Sequence, residues 1–174
     1  DVSKGISAEV FDYAEPFNMP YEFFLVGGKK MSSSKGRGSS AKDMGDLFPP
    51  EVLRLVLLGK ELNQQIDVDP SGDSVPRMYD WYDDLAQKVR DGIADDFTRL
   101  YALCQLPSRQ AEIPAPWQMR FGQTAFVAQM PHLDLRVEAE KVKGSPLTPD
   151  EDRLLAERAE YAKFWLSTYA PENY

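Results

Sequence analysis

The spacing of apolar residues changes along this chain, from one short continuous run near the front to repeated steps of three and four further on. Residues 1–20 form a weakly patterned lead-in, with Ala8 to Ala14 reading as the end of a helix and Pro16 and Pro20 breaking any continuation of it. Tyr21-Glu22-Phe23-Phe24-Leu25-Val26 is aromatic and β-branched and stops at Gly27-Gly28, the pattern of a buried strand. A single short strand cannot be a sheet alone, so an unpaired edge is expected there, either disordered or paired with another chain. Lys29 to Lys42 contains Gly, Ser and Lys and almost no apolar residue, which predicts a mobile surface loop.

From there the period is helical. Pro49-Pro50 opens a segment with Val52, Leu53, Val56 and Leu57 at helical spacing, and Gly59 ends it. Asn63 to Asp73 is polar and turn-rich. Ser74 is placed to cap a helix whose stripe is Met78, Trp81, Tyr82, Leu85 and Val89. Gly92 interrupts it, and Phe97, Leu100, Tyr101 and Cys104 continue to Pro107. A Pro-rich linker, Pro107 to Pro116, marks a subdomain junction. Trp117, Phe121, Ala125 and Ala128 share one face and Phe126 and Met130 another, which predicts a largely enclosed helix ended by Pro131. Leu133 to Val142 is a short amphipathic piece running to Gly144. The last helix has Thr148 as N-cap, Pro149 at the first position and Glu151 at the capping-box position, with Leu154, Arg158, Tyr161, Trp165 and Tyr169 at three- and four-residue steps after them. There is no internal repeat.

Composition narrows the class. At 43% hydrophobic and 28% charged, the 174 residues suit one globular domain or two small ones, and no run is long and apolar enough for a transmembrane helix. No leader pattern follows Asp1, and the single cysteine, Cys104, reads as a small buried hydrophobe. A lone cysteine forms no intramolecular disulfide, so a reducing cytoplasm is expected, and with only His132 beside it no Cys/His set for zinc exists.

Charge is unevenly placed. Residues 1–60 sum to zero, and residues 61–174 carry the whole net charge of −8. Inside the neutral part, Lys29, Lys30, Lys35, Arg37 and Lys42 fall in one stretch without an acid until Asp43. That is a focused spot for a compact anion rather than a broad polyanion surface.

The chemistry-bearing motif lies in this spot. Gly27-Gly28-Lys29-Lys30-Met31-Ser32-Ser33-Ser34-Lys35-Gly36 is a strand end followed by a cationic turn. Glycine lets backbone N–H groups approach an anion, seryl hydroxyls donate to phosphate oxygens, and Lys30 and Lys35 are spaced to flank a polyphosphate. Transfer at phosphorus needs such preplaced cations where charge builds on leaving oxygens. The G-x-x-x-x-G-K-[ST] spacing is absent, and on composition alone a solvated Ser/Gly/Lys linker explains the stretch equally well.

Lys30-Met31-Ser32-Ser33-Ser34, with Lys35-Gly36 after it, resembles the signature loop of class I aminoacyl-tRNA synthetases. Pro20-Tyr21-Glu22-Phe23, Pro49-Pro50-Glu51-Val52-Leu53-Arg54, Asp67-Val68-Asp69-Pro70, Gln129-Met130-Pro131 and Tyr169-Ala170-Pro171-Glu172 narrow the resemblance to the class I, archaeal-type lysyl-tRNA synthetases. It covers nearly the whole chain. The implied fold is mainly α, with a residual strand and signature loop of a Rossmann-like nucleotide-binding domain ahead of helical stem-contact and anticodon-binding bundles. The implied division is 1–48 for the end of the catalytic domain, 49–106 for the stem-contact region and 107–174 for part of the anticodon-binding region. Three departures stand out. Ser33 occupies the fourth place where the usual pattern has lysine, so Lys35 would supply that charge. No His-x-Gly-His-like motif is present, so the chain reads as a C-terminal portion of a longer enzyme; it also stops just after Pro171, where the family usually continues, so its end reads as truncated too.

The resemblance implies activation of lysine with ATP to lysyl-adenylate and transfer to tRNA(Lys). Lys30 and Lys35 would be the catalytic cations, and Lys30, Met31, Ser32, Ser33, Ser34 and Lys35 the ATP-phosphate loop, with Mg²⁺ sharing the charge in the intact enzyme. The fragment alone is expected to be inactive. A tRNA-facing surface would collect Arg77, Lys88, Arg120, Lys141 and Lys143, with Trp117 offering a stacking face, while acids such as Asp80, Asp83 and Asp84 occupy solvated faces. Two alternatives stay open: a non-catalytic helical RNA-binding or protein-interaction module, and a class I synthetase of another specificity, such as cysteine or arginine.

Overall fold

A computed structural model describes residues 2–14, 20, 22–30, 41–108, 116–172 and 174. The front half contains α1 (Val2–Glu9), β1 (Phe24–Val26), β2 (Lys29–Lys30), α2 (Ala41–Leu47), α3 (Pro50–Leu58) and β3 (Ile66–Val68). Helices α4 (Ser74–Arg90), α5 (Asp96–Cys104), α6 (Phe121–Ala128), α7 (Leu135–Lys143) and α8 (Pro149–Thr168) complete the chain. The expected mainly helical class with a strand at the front is what the structure shows.

The strand is not the unpaired edge that the sequence suggested. β1 is the middle of a three-stranded sheet in the order β2-β1-β3. It runs antiparallel to β2, with Leu25 opposite Lys30, and parallel to β3, with Leu25 opposite Asp67 and Val26 opposite Val68. A parallel pair needs a long crossover, here built from α2 and α3. Gly27 and Gly28 turn the β1–β2 hairpin with φ of 56° and 71°, the positive values that a two-residue type I′ turn demands. Both ends of the expected Lys29–Lys42 loop are regular structure: Lys29-Lys30 are strand and Lys42 lies in α2.

Helix ends are set locally. Pro49 and Pro50 open α3, and Gly59 closes it by donating its N–H to Leu55 O at 2.8 Å. A Cβ at Gly59 would press on the Trp81 ring and on Leu55 O, so any side chain there forces its neighbours to shift. Ser74 is the first residue of α4 rather than its cap; Asp73 precedes it without a side-chain capping bond. α5 starts with an Asp95/Thr98 capping box that the sequence reading did not single out, and α8 starts with the expected Thr148/Glu151 box. Trp117 lies ahead of α6, and that helix is open on one side, since Phe126 is 56% exposed.

The main core draws Leu47 and Phe48, Leu55, Val68, Tyr79, Tyr101, Phe121 and Trp165 into one cluster. A row of rings threads it. Phe48 meets Tyr79 at 5.7 Å, Tyr79 stacks on Phe121 at 4.2 Å, and Phe121 meets the edge of Trp165 at 5.7 Å. A smaller cluster of Met119, Val127, Ala139, Leu147 and Leu155 lies under α7, with Trp117 packed against it.

Candidate functional site

Lys30 is the last residue of β2, while Met31, Ser32, Ser33, Ser34 and Lys35 lie outside the described residues. What the structure places is the root of this segment. Gly27 N–H donates to Val68 O at 3.0 Å. Gly28 N–H donates to both carboxylate oxygens of Asp67, at 3.0 and 3.1 Å. The hairpin turn is thus fastened to β3 by one backbone and one side-chain acceptor.

The four residues Asp67-Val68-Asp69-Pro70, which sequence reading associated only with family likeness, form a built support. Val68 is buried in the core. Asp69 Oδ1 accepts from Ser71 N–H at 3.0 Å and Ser71 Oγ at 2.7 Å, closing the turn into α4. Pro70 O accepts the Nε1–H of buried Trp165 at 2.8 Å. Asp67 also lines a cleft of about 460 Å³ between α3, β3 and α4, together with Lys60, Arg77 and Trp81.

The basic residues expected on a tRNA-facing surface do not stand as bare cations. Arg77 is 78% exposed and bonds Asp73 at 3.1 Å, and Lys88 reaches Asp95 at 3.4 Å. Arg120 pairs with Asp84 and Asp80 and donates to Asp80 O at 3.0 Å. Burial opposes its charge, but the bond to Asp84 and the nearby carboxylates outweigh it and hold its pKa up. Lys141 bonds Glu138 at 2.6 Å. Lys143, only 17% exposed, donates to Glu151 and to Pro146 O at 3.0 Å. Arg77, Asp84 and Lys88 fall at helical spacing on the side of α4 away from the core, and Arg120 joins them through Asp84. Lys141 and Lys143 belong to α7. In the cationic front segment, Lys42 is tied to Asp46 at 2.6 Å, a bond that raises its pKa.

One reading is corrected outright. Asp83 is not on a solvated face: its carboxylate is 8% exposed and takes two bonds from buried Arg158, at 2.7 and 2.8 Å. Asp80 and Asp84 stay nearer solvent, beside Arg120. Cys104 is buried as expected, and Trp81 is half-buried against the core. Among the described residues, no group of three or more His, Cys, Asp and Glu side chains is arranged to hold a metal ion. No helix among them is long and apolar enough to cross a membrane.

Comparison with known proteins agrees with the motif. A family model described as class I tRNA synthetases (K) matches residues 1–107, and the chain belongs to that family of class I synthetases. Its relatives specify the branch. Lysine–tRNA ligase 1 of Methanosarcina acetivorans is 31% identical over 98% of this chain and 32% of its own length. The lysine–tRNA ligase of Methanopyrus kandleri is 33% identical over 99% of this chain and 33% of its own length. That of Archaeoglobus fulgidus is 26% identical over 99% and 33%. The chain spans about a third of the length of these curated relatives.

Proposed function

We propose that this chain is the part of a lysine–tRNA ligase that handles the phosphates of ATP and then contacts tRNA(Lys). The observation that carries the reading is the placement of Lys30, first residue of Lys-Met-Ser-Ser-Ser, at the end of β2 on a hairpin fastened to β3. In the longer enzyme, lysine attacks the α-phosphate of ATP and pyrophosphate departs. Lys30 and Lys35 meet the charge growing on the leaving oxygens, and Ser32, Ser33 and Ser34 add hydroxyl or backbone donors. Mg²⁺ would enter with the nucleotide and share that neutralisation. The donors of this segment are ammonium, hydroxyl and amide groups, which suit phosphate oxygens and not a resident cation. The lysyl group then passes to the terminal adenosine of tRNA(Lys).

In this reading residues 1–48 end the catalytic domain, 49–106 contact the stem and 107–174 belong to the anticodon-binding region. The tRNA-facing set is Arg77, Lys88, Trp117, Arg120, Lys141 and Lys143. Phosphate must displace a carboxylate at each cation, so the well-exposed Arg77 and Lys141 exchange partners most readily. Arg120 and Lys143 act mainly by holding α4 and α8 in place. The fragment alone performs no activation.

The test is lysine-dependent ATP–pyrophosphate exchange in the full-length ligase, with arginine and cysteine as control amino acids. Lys30→Ala is expected to lower exchange at least 100-fold with the lysine requirement unchanged, on the order of the effect of removing a transition-state charge partner. Full activity in that variant would sink the reading. Exchange with arginine or cysteine instead of lysine would transfer the chain to another specificity.

A further inference from the structure

The hairpin that presents Lys30 needs no carboxylate to form. A two-residue Gly-Gly turn with both φ values positive suits the twist of its two flanking strands, which pair antiparallel through their backbones. Yet a carboxylate 39 residues further along the chain takes the Gly28 N–H with both of its oxygens. Asp67 shares its cleft with Lys60 and Arg77 and lies one strand from the start of the cationic segment. A negative charge there weakens the positive potential that a polyphosphate site requires, so it is costly to the proposed activity unless it positions something.

The register says what is positioned. Lys30, Leu25 and Asp67 form one row across the three strands. β2 has only two residues, so few ladder bonds hold it in place. A slip of one residue in so short a strand would put Lys30 on the other face of the sheet and re-aim everything after it. Gly27 N–H on Val68 O and Gly28 N–H on Asp67 pin both turn residues to the strand β3, which removes that freedom. Val68 is itself fixed in the core.

We infer that Asp67 is a positioning residue for the phosphate loop: it fixes the β1–β2 turn through the Gly28 amide, and so sets the point at which the chain leaves the sheet after Lys30. The inference rests on the reading that this loop meets ATP. It assigns Asp67 no contact with the nucleotide.

The experiment compares Asp67→Ala, Asp67→Asn and Lys30→Ala in the full-length ligase by steady-state ATP–pyrophosphate exchange. Hydrogen exchange over residues 24–30, read by mass spectrometry, accompanies it. Asp67→Ala is expected to lower kcat about tenfold with the KM for lysine unchanged, and to speed amide exchange in the hairpin. Asp67→Asn keeps one oxygen for the Gly28 N–H and is expected to recover most of both. An Asp67→Ala enzyme with wild-type kcat, or one whose hairpin exchanges at the wild-type rate, overturns the inference. So does an Asp67→Asn enzyme as impaired as Asp67→Ala, because the charge and not the hydrogen bond would then be at work. The two failures are separable: if Lys30→Ala is inactive while Asp67→Ala is normal, the loop reading stands and only this inference falls. If Lys30→Ala is fully active, the loop reading itself is lost.

Discussion

Arg158 on α8 grips Asp83 on α4 across 75 residues of chain, its two terminal guanidinium nitrogens each donating to one carboxylate oxygen, at 2.7 and 2.8 Å. The same guanidinium donates to Met119 O at 2.7 Å and lies 5.4 Å from the centre of the Tyr79 ring. One buried cation therefore joins α4, the segment entering α6, and α8. Its side chain is 4% exposed, so water cannot stand in for a lost partner.

Removing either member leaves an uncompensated charge in the core. Asp83→Ala or Arg158→Ala is expected to lower the free energy of unfolding by about 3–5 kcal/mol, measured in urea. The double variant Asp83→Leu/Arg158→Met is expected to lose less than the sum of the two single changes, since no lone charge remains. Additive losses would show that the two residues contribute independently.

Gly59 has no room for a side chain unless its neighbours shift. Gly59→Ala brings a methyl group against the Trp81 ring and Leu55 O, and a loss of roughly 1–3 kcal/mol is expected from the forced shift. Thermal unfolding measures it, and shortening the neighbour in Gly59→Ala/Trp81→Leu should return part of the loss. A Gly59→Ala protein as stable as the parent would mean that α3 and α4 separate freely at this point.

Acid weakens the start of α8. Burial raises the pKa of Glu151, but the bonds from Lys143 and from Thr148 N–H outweigh it, and the net pKa lies below the ordinary value of 4.5. A carboxylate depressed in the folded state contributes stability that is complete above its unfolded pKa and is lost as pH falls through the folded one. Stability against pH is therefore expected to decline below about pH 4.5, and Glu151→Gln should flatten that acid limb. An unchanged acid limb in Glu151→Gln would assign the decline to other carboxylates.

The two exposed and two half-sequestered cations should separate in experiment. Arg77→Ala and Lys141→Ala are expected to leave unfolding unchanged and to weaken tRNA(Lys) binding, with a reduced salt dependence for each. Lys143→Ala and Arg120→Ala are expected to lower stability, because Glu151 and Asp84 lose a close partner. Filter binding at several salt concentrations, beside urea titrations, tells the two groups apart.

The features legible in the sequence were local. Thr148, Pro149 and Glu151 lie within one helical turn, so their capping arrangement follows from spacing alone. Pro49-Pro50 and Gly59 frame α3 for the same reason. Lys30-Met31-Ser32-Ser33-Ser34 was legible as a motif, and the comparisons agree with the family it suggested. The rest depended on distant partners. Ile66-Asp67-Val68 is too short to stand out within a polar stretch, and its place in the sheet comes from β1, a crossover away. Asp83 looked like any helical acid because Arg158 lies 75 positions off. Gly28 and Asp67, separated by 39 positions, meet only once the sheet exists.

The indole of Trp165 donates to Pro70 O across 95 positions of chain, just beyond the strand that bears Asp67. The turn after β3 and the last helix therefore depend on each other. A chain cut short before α8 would leave that carbonyl and its aromatic neighbours bare, and the damage would surface beside β3 and the hairpin it fastens, far in sequence from the missing residues.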